Sequence, residues 1–275
     1  MIEPLALFHR KTLRGILNLS KYASTPAIHF ILGELPIEGK IHRDVFSLFF
    51  SIWRNPDSKI YKIVKHILET SQENSRTWAI HVRYLSEKYG LPDPLDCLKS
   101  EPPSKNQYTE YVYTKISAYF EKSLREKAEN NSSMKFLNVS LTGLRGRRHP
   151  ALSNIMTTHE VKKARTHIKM LLGDYLTFYK KSTRSGGPSS CRCCSNTTSM
   201  NETLTHIPTQ CDAYEEIRKQ IFPEFSQVCR ESRSGVNFHK IVENAENLTQ
   251  FILDPSSINL TPRISMNDPV LDKLF

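Results

Sequence analysis

The chain has 275 residues, of which 39% are hydrophobic, and its formal net charge is +10. This length suffices for one large or two modest domains with a sizeable core. The sequence holds no run of 18 apolar residues and no convincing secretory leader, which excludes an ordinary transmembrane helix and favours an intracellular protein, nuclear or cytoplasmic, without a membrane partner.

Helical periodicity dominates the first half of the chain and predicts an all-α fold. Apolar residues recur at helical spacing over residues 5–19, 37–53, 58–71, 74–89 and 106–129. Pro36 marks the start of the second segment, Gly90 ends the fourth, and the Pro-rich residues 91–103 predict a turn. Because short turns join these segments, we expect an antiparallel helical bundle and assign residues 1–133 to one helical region.

The middle of the chain is its most basic part, and we assign residues 134–185 to a basic loop followed by a basic helix. Residues 141–190 hold ten Lys and Arg against two Asp and Glu. Residues 135–141 alternate as one short strand would, which alone is poor evidence for a sheet. Residues 143–150 form the loop, and a capping box of Thr157 and Glu160 predicts a helix that reaches about Thr183.

This concentration of charge favours a polyanion partner, RNA or DNA, over a merely solvated surface. Lys162, Arg165 and Lys169 share one face of the predicted helix, and cations along a face can follow a phosphate backbone. Three aromatic residues, Tyr175, Phe178 and Tyr179, lie between the cations. We favour a role in the core for them over a role in stacking on bases. The predicted nucleic-acid-binding residues are Arg145, Arg147, Arg148, Lys162, Lys163, Arg165, Lys169, Lys180, Lys181 and Arg184.

Four residues beyond the basic helix have the spacing of a zinc knuckle: Cys191-x-x-Cys194, eleven residues, His206, four residues, Cys211. Three thiolates and one imidazole can close a tetrahedron around a structural Zn²⁺. A redox pair, a disulfide and a site without metal remain alternatives. A redox pair usually opens a helix, whereas the residues on both sides of Cys191 and Cys194 are typical of loops. We assign residues 186–222 to a CCHC zinc knuckle.

The other cysteines have less defined roles. Cys193 is a spare ligand inside the knuckle, Cys229 and His239 are more distant spares, and Cys97 is interpreted as a buried small residue. Helices are predicted over residues 213–222 and 238–253, and we assign residues 223–275 to a C-terminal helix and tail. Tyr214, Ile217 and Ile221 form the apolar side of the first of these helices.

The sequence contains none of the catalytic patterns that we sought. It has no phosphate-binding Gly loop, no Gly-x-Ser-x-Gly, no His-Glu-x-x-His and no paired aspartates of the kind that hold two Mg²⁺ in polymerases. As it stands, the chain is predicted not to be an enzyme.

The knuckle continues into a longer pattern: Glu202-Thr203-x-x-His206, four residues, Cys211, and then Tyr214 and Arg218 on a helix. This pattern resembles the C-terminal knuckle of non-LTR retrotransposon reverse transcriptases. Residues 32–42, 143–152 and 173–177 are similar to the region that follows the polymerase in the same elements, so the resemblance spans about residues 10–270.

The resemblance implies a non-catalytic fragment that grips the RNA of the element and its target DNA during target-primed reverse transcription. The endonuclease and polymerase of that family lie upstream, so we expect a truncated element copy or a partial gene. The resemblance also implies that Cys191, Cys194, His206 and Cys211 are the metal ligands. Two other hypotheses remain: a host-adopted helical protein-interaction module with structural zinc, and an inert relic.

Under the nucleic-acid hypothesis, zinc fixes residues 186–211 and docks them on the helix that Tyr214 and Ile217 anchor. That arrangement would set the basic helix against a phosphate backbone. The sequence does not distinguish RNA from DNA as the preferred partner.

Overall fold

A computed structural model of the chain describes residues 2–71, 75–129, 131, 134–139, 142–153, 155–174, 190–191, 193–194, 201, 203–231 and 238–254. These residues form twelve α-helices and two short 3₁₀ turns, with two isolated β-bridges and no strand. The all-α fold is therefore confirmed for this part of the chain. Within it, no helix combines the length and the apolar character that crossing a membrane requires.

The first half of the chain contains α1 (Ile2–Leu17), α2 (Thr25–Leu32), α3 (Ile37–Trp53), α4 (Lys59–Thr70), α5 (Trp78–Tyr89), α6 (Pro94–Lys99) and α7 (Lys105–Glu129). Helix α5 begins after its N-cap Thr77, later than predicted. Helices α2 and α6 were missed. Six of the eight residues of α2 are buried, so it has no amphipathic stripe to recognise. In α6 the prolines suggested a turn, but Pro94 occupies the first turn of a helix, where its missing N–H costs nothing.

The second half contains α8 (Thr158–Leu171), α9 (His206–Thr209), α10 (Glu215–Glu231), α11 (Phe238–Val242) and α12 (Ala245–Leu253), with 3₁₀ turns at Pro150–Leu152 and Asp212–Tyr214. Helix α8 has the predicted capping box, but it ends at Leu171 and not near Thr183, because the chain turns at Gly173 with a φ of 55°. The alternating residues 135–139 form turns and not a strand.

Two further predictions of helix limits were wrong. Helix α10 continues well past Phe222 despite carrying Pro223 inside it. The single helix predicted over residues 238–253 is divided in two, because Asn244 caps the second part: its Oδ1 accepts the N–H groups of Glu246 and Asn247.

The chain forms two compact units, one of residues 1–9 and 35–126 and the other of residues 10–34 and 127–275. The first unit has an aromatic core, in which Phe50 stacks on Tyr108 at 4.6 Å between ring centroids. Trp53 packs edge-on against both rings and donates its indole N–H to the Ser100 carbonyl at 3.0 Å. Helices α3, α4, α5 and α6 contact one another around this core.

Helix α12 organises the second unit. It contacts α8, α9 and α11, and it buries Leu248, Phe251, Ile252 and Leu253. Phe251 packs edge-on against Phe225 of α10 at 5.3 Å, within a core cluster that also includes Phe238. One short helix therefore joins the basic helix α8 to the predicted zinc knuckle.

Candidate metal centre and basic surface

The four predicted metal ligands come together. The Sγ atoms of Cys191, Cys194 and Cys211 and a ring nitrogen of His206 all lie within 4.8 Å of one another. Cys194 Sγ is 3.1 Å from His206 Nε2 and 3.8 Å from Cys211 Sγ, and the sulfurs of Cys191 and Cys211 are also 3.8 Å apart. A Cys₃His cluster of this kind can hold a metal ion.

Two of the sulfur separations are those expected of thiolates that share one tetrahedral metal ion. With Zn–S bonds of about 2.3 Å, two thiolates on a tetrahedral ion are about 3.8 Å apart. A disulfide would need about 2.05 Å, and the structure, which describes all six cysteines, pairs none of them in a disulfide. The geometry thus favours metal over the disulfide alternative. Cys193 is exposed and lies outside the cluster.

Short-range hydrogen bonds build the site. Ser190 pairs with Asn201 in an antiparallel bridge. This bridge places the residue before Cys191 beside a residue that precedes His206 by five positions. The hydroxyl of Thr203 accepts the N–H of His206 at 3.0 Å, so the histidine is fixed at the start of α9. The N–H of Cys211 then bonds to the His206 carbonyl at 3.0 Å. Since α9 packs on α12, the His206 side of the ligand group lies against the core of the second unit.

Backbone amides around the thiols favour thiolates. Burial raises the pKa of the Cys191 thiol, but N–H groups of Cys193 and Cys194 bond to its sulfur and bring the pKa below its ordinary value. Burial is also the largest influence on Cys211 and, together with the neighbouring sulfurs, raises its pKa to about 12, although the N–H of Ala213 opposes this. The neighbouring sulfurs of Cys191 and Cys211 resist losing both their protons unless a cation joins them, which is the electrostatic demand that a bound metal meets.

The remaining candidate ligands lie elsewhere. Cys229 is buried in the core cluster of α10, α11 and α12, and burial raises the pKa of its thiol to about 11. Cys97 is buried as expected, and desolvation raises its pKa to about 11 as well. His239 is exposed on α11, outside the cluster.

Three of the predicted nucleic-acid-binding residues lie on one tight turn, residues 143–148, which we term the arginine loop. Arg145, Arg147 and Arg148 are all exposed there. Beneath them Leu144 is fully buried, the Gly143 N–H bonds to the Arg147 carbonyl at 3.3 Å, and the two residues form an antiparallel bridge. The loop therefore presents cations from a fixed backbone.

The arginine loop is held against the end of α2. The Gly146 N–H bonds to the carbonyl of Gly33 at 3.0 Å, and the N–H of His149 bonds to that of Ile31 at 2.9 Å. Gly33 ends α2 with a φ of +64°, and a Cβ placed on it would lie 2.9 Å from backbone atoms of Arg147 and Gly146. Only glycine combines this conformation with so close an approach.

A buried polar network lies behind the loop. His149 and Asp254 are both fully buried, and His149 Nε2 lies 3.5 Å from Asp254 Oδ2. The same carboxylate oxygen accepts the N–H of Asn138 at 2.9 Å, and His167 of α8 bonds to the Leu253 carbonyl at 2.5 Å. Burial lowers the pKa of His167 to about 4, so its ring is neutral near pH 7. Sequence analysis missed these residues, because an isolated His or Asp carries no local signal.

The predicted cationic face of α8 is uneven. Lys162 is exposed, whereas Lys163, Arg165 and Lys169 are half-buried. Arg165 donates its Nε–H to the Ile16 carbonyl at 2.9 Å and so also ties α8 to the end of α1. The remaining predicted cations, Lys180, Lys181 and Arg184, lie outside the described residues, as do Tyr175, Phe178 and Tyr179.

A cavity of about 600 Å³ lies where the arginine loop and α8 meet. Aliphatic residues of α1, α2 and α8 form most of its wall, and Arg148, Arg165 and Glu34 supply its charges. Helix α8 also packs directly on the 3₁₀ turn that follows the loop. Cations from two separate segments thus border one pocket.

The proposed anchors of the knuckle were wrong. Tyr214 is 39% exposed and Ile217 is 45% exposed, so neither docks the ligand loop on the core. Ile221 and Phe225, one and two turns further along α10, are the buried residues. Burial along α10 is decided by residues of α11 and α12, and the spacing within residues 213–222 does not reveal them.

Comparisons with known proteins return no significant similarity: no protein-family model, no curated protein and no solved structure matches the chain. The site must therefore be interpreted from its own geometry.

Proposed function

We propose that this chain is a zinc-stabilised nucleic-acid-binding module, equivalent to the C-terminal region of a non-LTR retrotransposon reverse transcriptase. The arginine loop and the exposed side of α8 contact RNA or DNA, and the Cys₃His cluster holds a structural Zn²⁺. The module performs no chemistry itself. Its task is to grip the nucleic acid on which a polymerase acts.

The observation that carries the proposal is the convergence of cations on one pocket. Arg148 comes from the arginine loop and Arg165 from α8, and both border the same 600 Å³ cavity. Arg145 and Arg147 extend this positive surface on the loop, and Lys162 extends it along the helix. Cations that contact phosphates gain affinity by releasing condensed counterions, so a clustered set suits a polyanion.

The donor set supports a structural role for the metal. Four protein ligands would complete the coordination of a tetrahedral ion and would leave no open position for substrate or water, as in structural zinc sites. Thiolate-rich tetrahedral sites favour zinc over magnesium or calcium, which take oxygen ligands. Because the site rests on α12, and α12 packs on α8, metal binding supports the basic surface through α12.

Binding of the zinc-loaded chain to duplex DNA across a salt series tests the proposal. For the combined variant Arg145→Gln/Arg147→Gln/Arg148→Gln, the slope of log affinity against log salt should fall by about 2.7, or about 0.9 for each phosphate that is no longer neutralised. The matched control removes three charges from α4, with Lys59→Gln, Lys62→Gln and Lys65→Gln, and should leave the slope nearly unchanged.

Equal reductions of affinity in both variants would show that only total charge matters and would contradict a defined surface. Weak, salt-insensitive binding by the folded, zinc-loaded chain would contradict the nucleic-acid function altogether. In that case, affinity for a partner protein would favour the interaction-module hypothesis.

A further inference from the structure

A second pocket of the second unit contains none of the predicted nucleic-acid-binding residues. This cleft, between α10 and α11, has a volume of about 870 Å³. Its apolar surface comes from Phe222, Pro223, Phe238 and Val242. Its polar groups are Glu215, Arg218, Lys219, Ser226, Arg230, His239 and Glu243. We term it the α10–α11 cleft.

Four of the cleft residues form a regular stripe along α10. Arg218, Phe222, Ser226 and Arg230 are spaced four residues apart and so lie along one side of the helix. Arg230 lies twelve positions after Arg218, which corresponds to about 18 Å along the axis. The stripe therefore presents a cation, an aromatic ring, a hydroxyl and a second cation in order.

The cations of the cleft are not equally engaged. Lys219 is paired with Glu215 at 3.1 Å and with Glu216 at 3.0 Å. By contrast, Arg218 Nη1 is shielded from solvent and has no hydrogen-bond partner among the residues that the structure describes. A guanidinium nitrogen that has lost water without gaining an acceptor is unfavourable, and an anionic ligand that accepts a hydrogen bond from it would offset that cost.

The aromatic wall suits a flat, unstacked ring. Phe222 is half-buried and packs edge-on against the buried Phe238 at 5.8 Å, so its orientation is set while part of its surface stays accessible. Nucleobases in a duplex stack on each other and cannot reach such a ring, whereas bases of a single strand can.

We propose that the α10–α11 cleft binds a short single-stranded stretch of RNA or DNA. One base packs on Phe222, and phosphates of the neighbouring nucleotides in the same stretch contact Arg218 and Arg230. This inference rests on the proposed nucleic-acid function and adds a single-strand subsite to it. Since α10 begins four residues after Cys211, the metal centre fixes the end of the helix that carries the cleft.

The test compares two fluorescent strands of equal length, one with bases and one abasic, binding to the zinc-loaded full chain. Phe222→Leu keeps the apolar volume and removes the aromatic face. It should weaken binding of the base-containing strand about fivefold or more and leave the abasic strand unaffected. Arg218→Gln should weaken both strands and lower the salt slope by about 0.7.

Two matched controls lie outside the cleft. Ile217→Ala removes an exposed apolar side chain of the same helix, and Lys240→Gln removes an exposed charge of α11. Both should bind the two strands as the unaltered chain does. Circular dichroism and zinc content of every variant show that the fold is retained.

The inference is overturned if Phe222→Leu and Ile217→Ala behave alike, or if the unaltered chain binds both strands equally. Binding of an acidic peptide in the cleft that an excess of single strand does not displace would also overturn the inference. It would assign the cleft to a protein partner. Failure of the proposed function looks different: the unaltered chain then binds neither duplex nor single strand.

Discussion

Replacing Gly33 by alanine should disturb the proposed nucleic-acid-binding surface without removing any of its charges. Gly33 has a φ of +64°, a conformation that costs a non-glycine residue roughly 1–2 kcal/mol. In addition, the new Cβ would lie 2.9 Å from backbone atoms of Arg147 and Gly146. A backbone cannot rotate away as a side chain does, so we add about 1–3 kcal/mol for overpacking. The second unit should therefore be destabilised by about 2–5 kcal/mol in total.

Gly90 provides a matched control within the same chain. It also ends a helix, its φ is +63°, and a Cβ placed on it meets no atom within 4 Å. Gly90→Ala therefore carries the conformational cost alone, about 1–2 kcal/mol. The difference between the two variants measures how tightly the arginine loop is pressed against α2.

Hydrogen exchange followed by mass spectrometry separates the two effects, because it reports each unit by its own peptides. The two tryptophans, Trp53 and Trp78, belong to the first unit and would report only Gly90→Ala. Gly33→Ala should speed exchange over residues 143–149 and weaken nucleic-acid binding, whereas Gly90→Ala should do neither. If the two variants are equally destabilised and bind alike, the close approach at Gly33 does not hold the loop.

Three further predictions concern the second unit. Metal analysis should find one zinc ion per molecule. Cys194→Ser should lose the metal and become sensitive to protease near residues 191–211. Cys193→Ser alters a residue outside the cluster and should keep both the metal and the protease resistance. Burial lowers the pKa of His167 to about 4, so between pH 6.5 and pH 4 the unfolded state binds more protons than the folded state. The free energy of unfolding by urea should therefore decrease by up to about 1.4 kcal/mol for each pH unit over that range. His167→Gln should remove this contribution and leave that of His42, whose pKa burial also lowers to about 4; an unchanged slope would exclude His167 as a source. Asn244→Ala, which removes the N-cap of α12, should cost about 1 kcal/mol in the same assay, and an unchanged stability would show that the cap is dispensable.

The sequence alone was sufficient for features that depend on neighbouring residues. The four ligands lie within a span of 21 residues, and the short Cys-x-x-Cys spacing allows two sulfurs to face one ion. The capping box of α8 is equally local, since Thr157 and Glu160 satisfy each other's backbone. Such signals do not depend on the rest of the fold.

Features that depend on distant partners were not predictable from spacing. The role of Gly33 requires knowing that residues 143–148 return to the end of α2. The anchors of the knuckle were misplaced because burial along α10 is decided by α11 and α12, which lie later in the chain. The proposed single-strand subsite also needs both helices, although the regular spacing from Arg218 to Arg230 was visible in the sequence.

The position of α12 has a consequence for the order in which the second unit is made. The last residue of α12, Leu253, bonds to His167, which lies 86 residues earlier in the chain. The next residue, Asp254, bonds to Asn138, which lies 116 residues earlier. Both partners are therefore translated well before α12. Closing such long loops is slow, and none of it can begin until the ribosome has released residue 254. The arginine loop and the cysteines therefore stay in an incompletely folded chain until synthesis reaches residue 254, and a chaperone or a metal ion can bind them before the fold is complete.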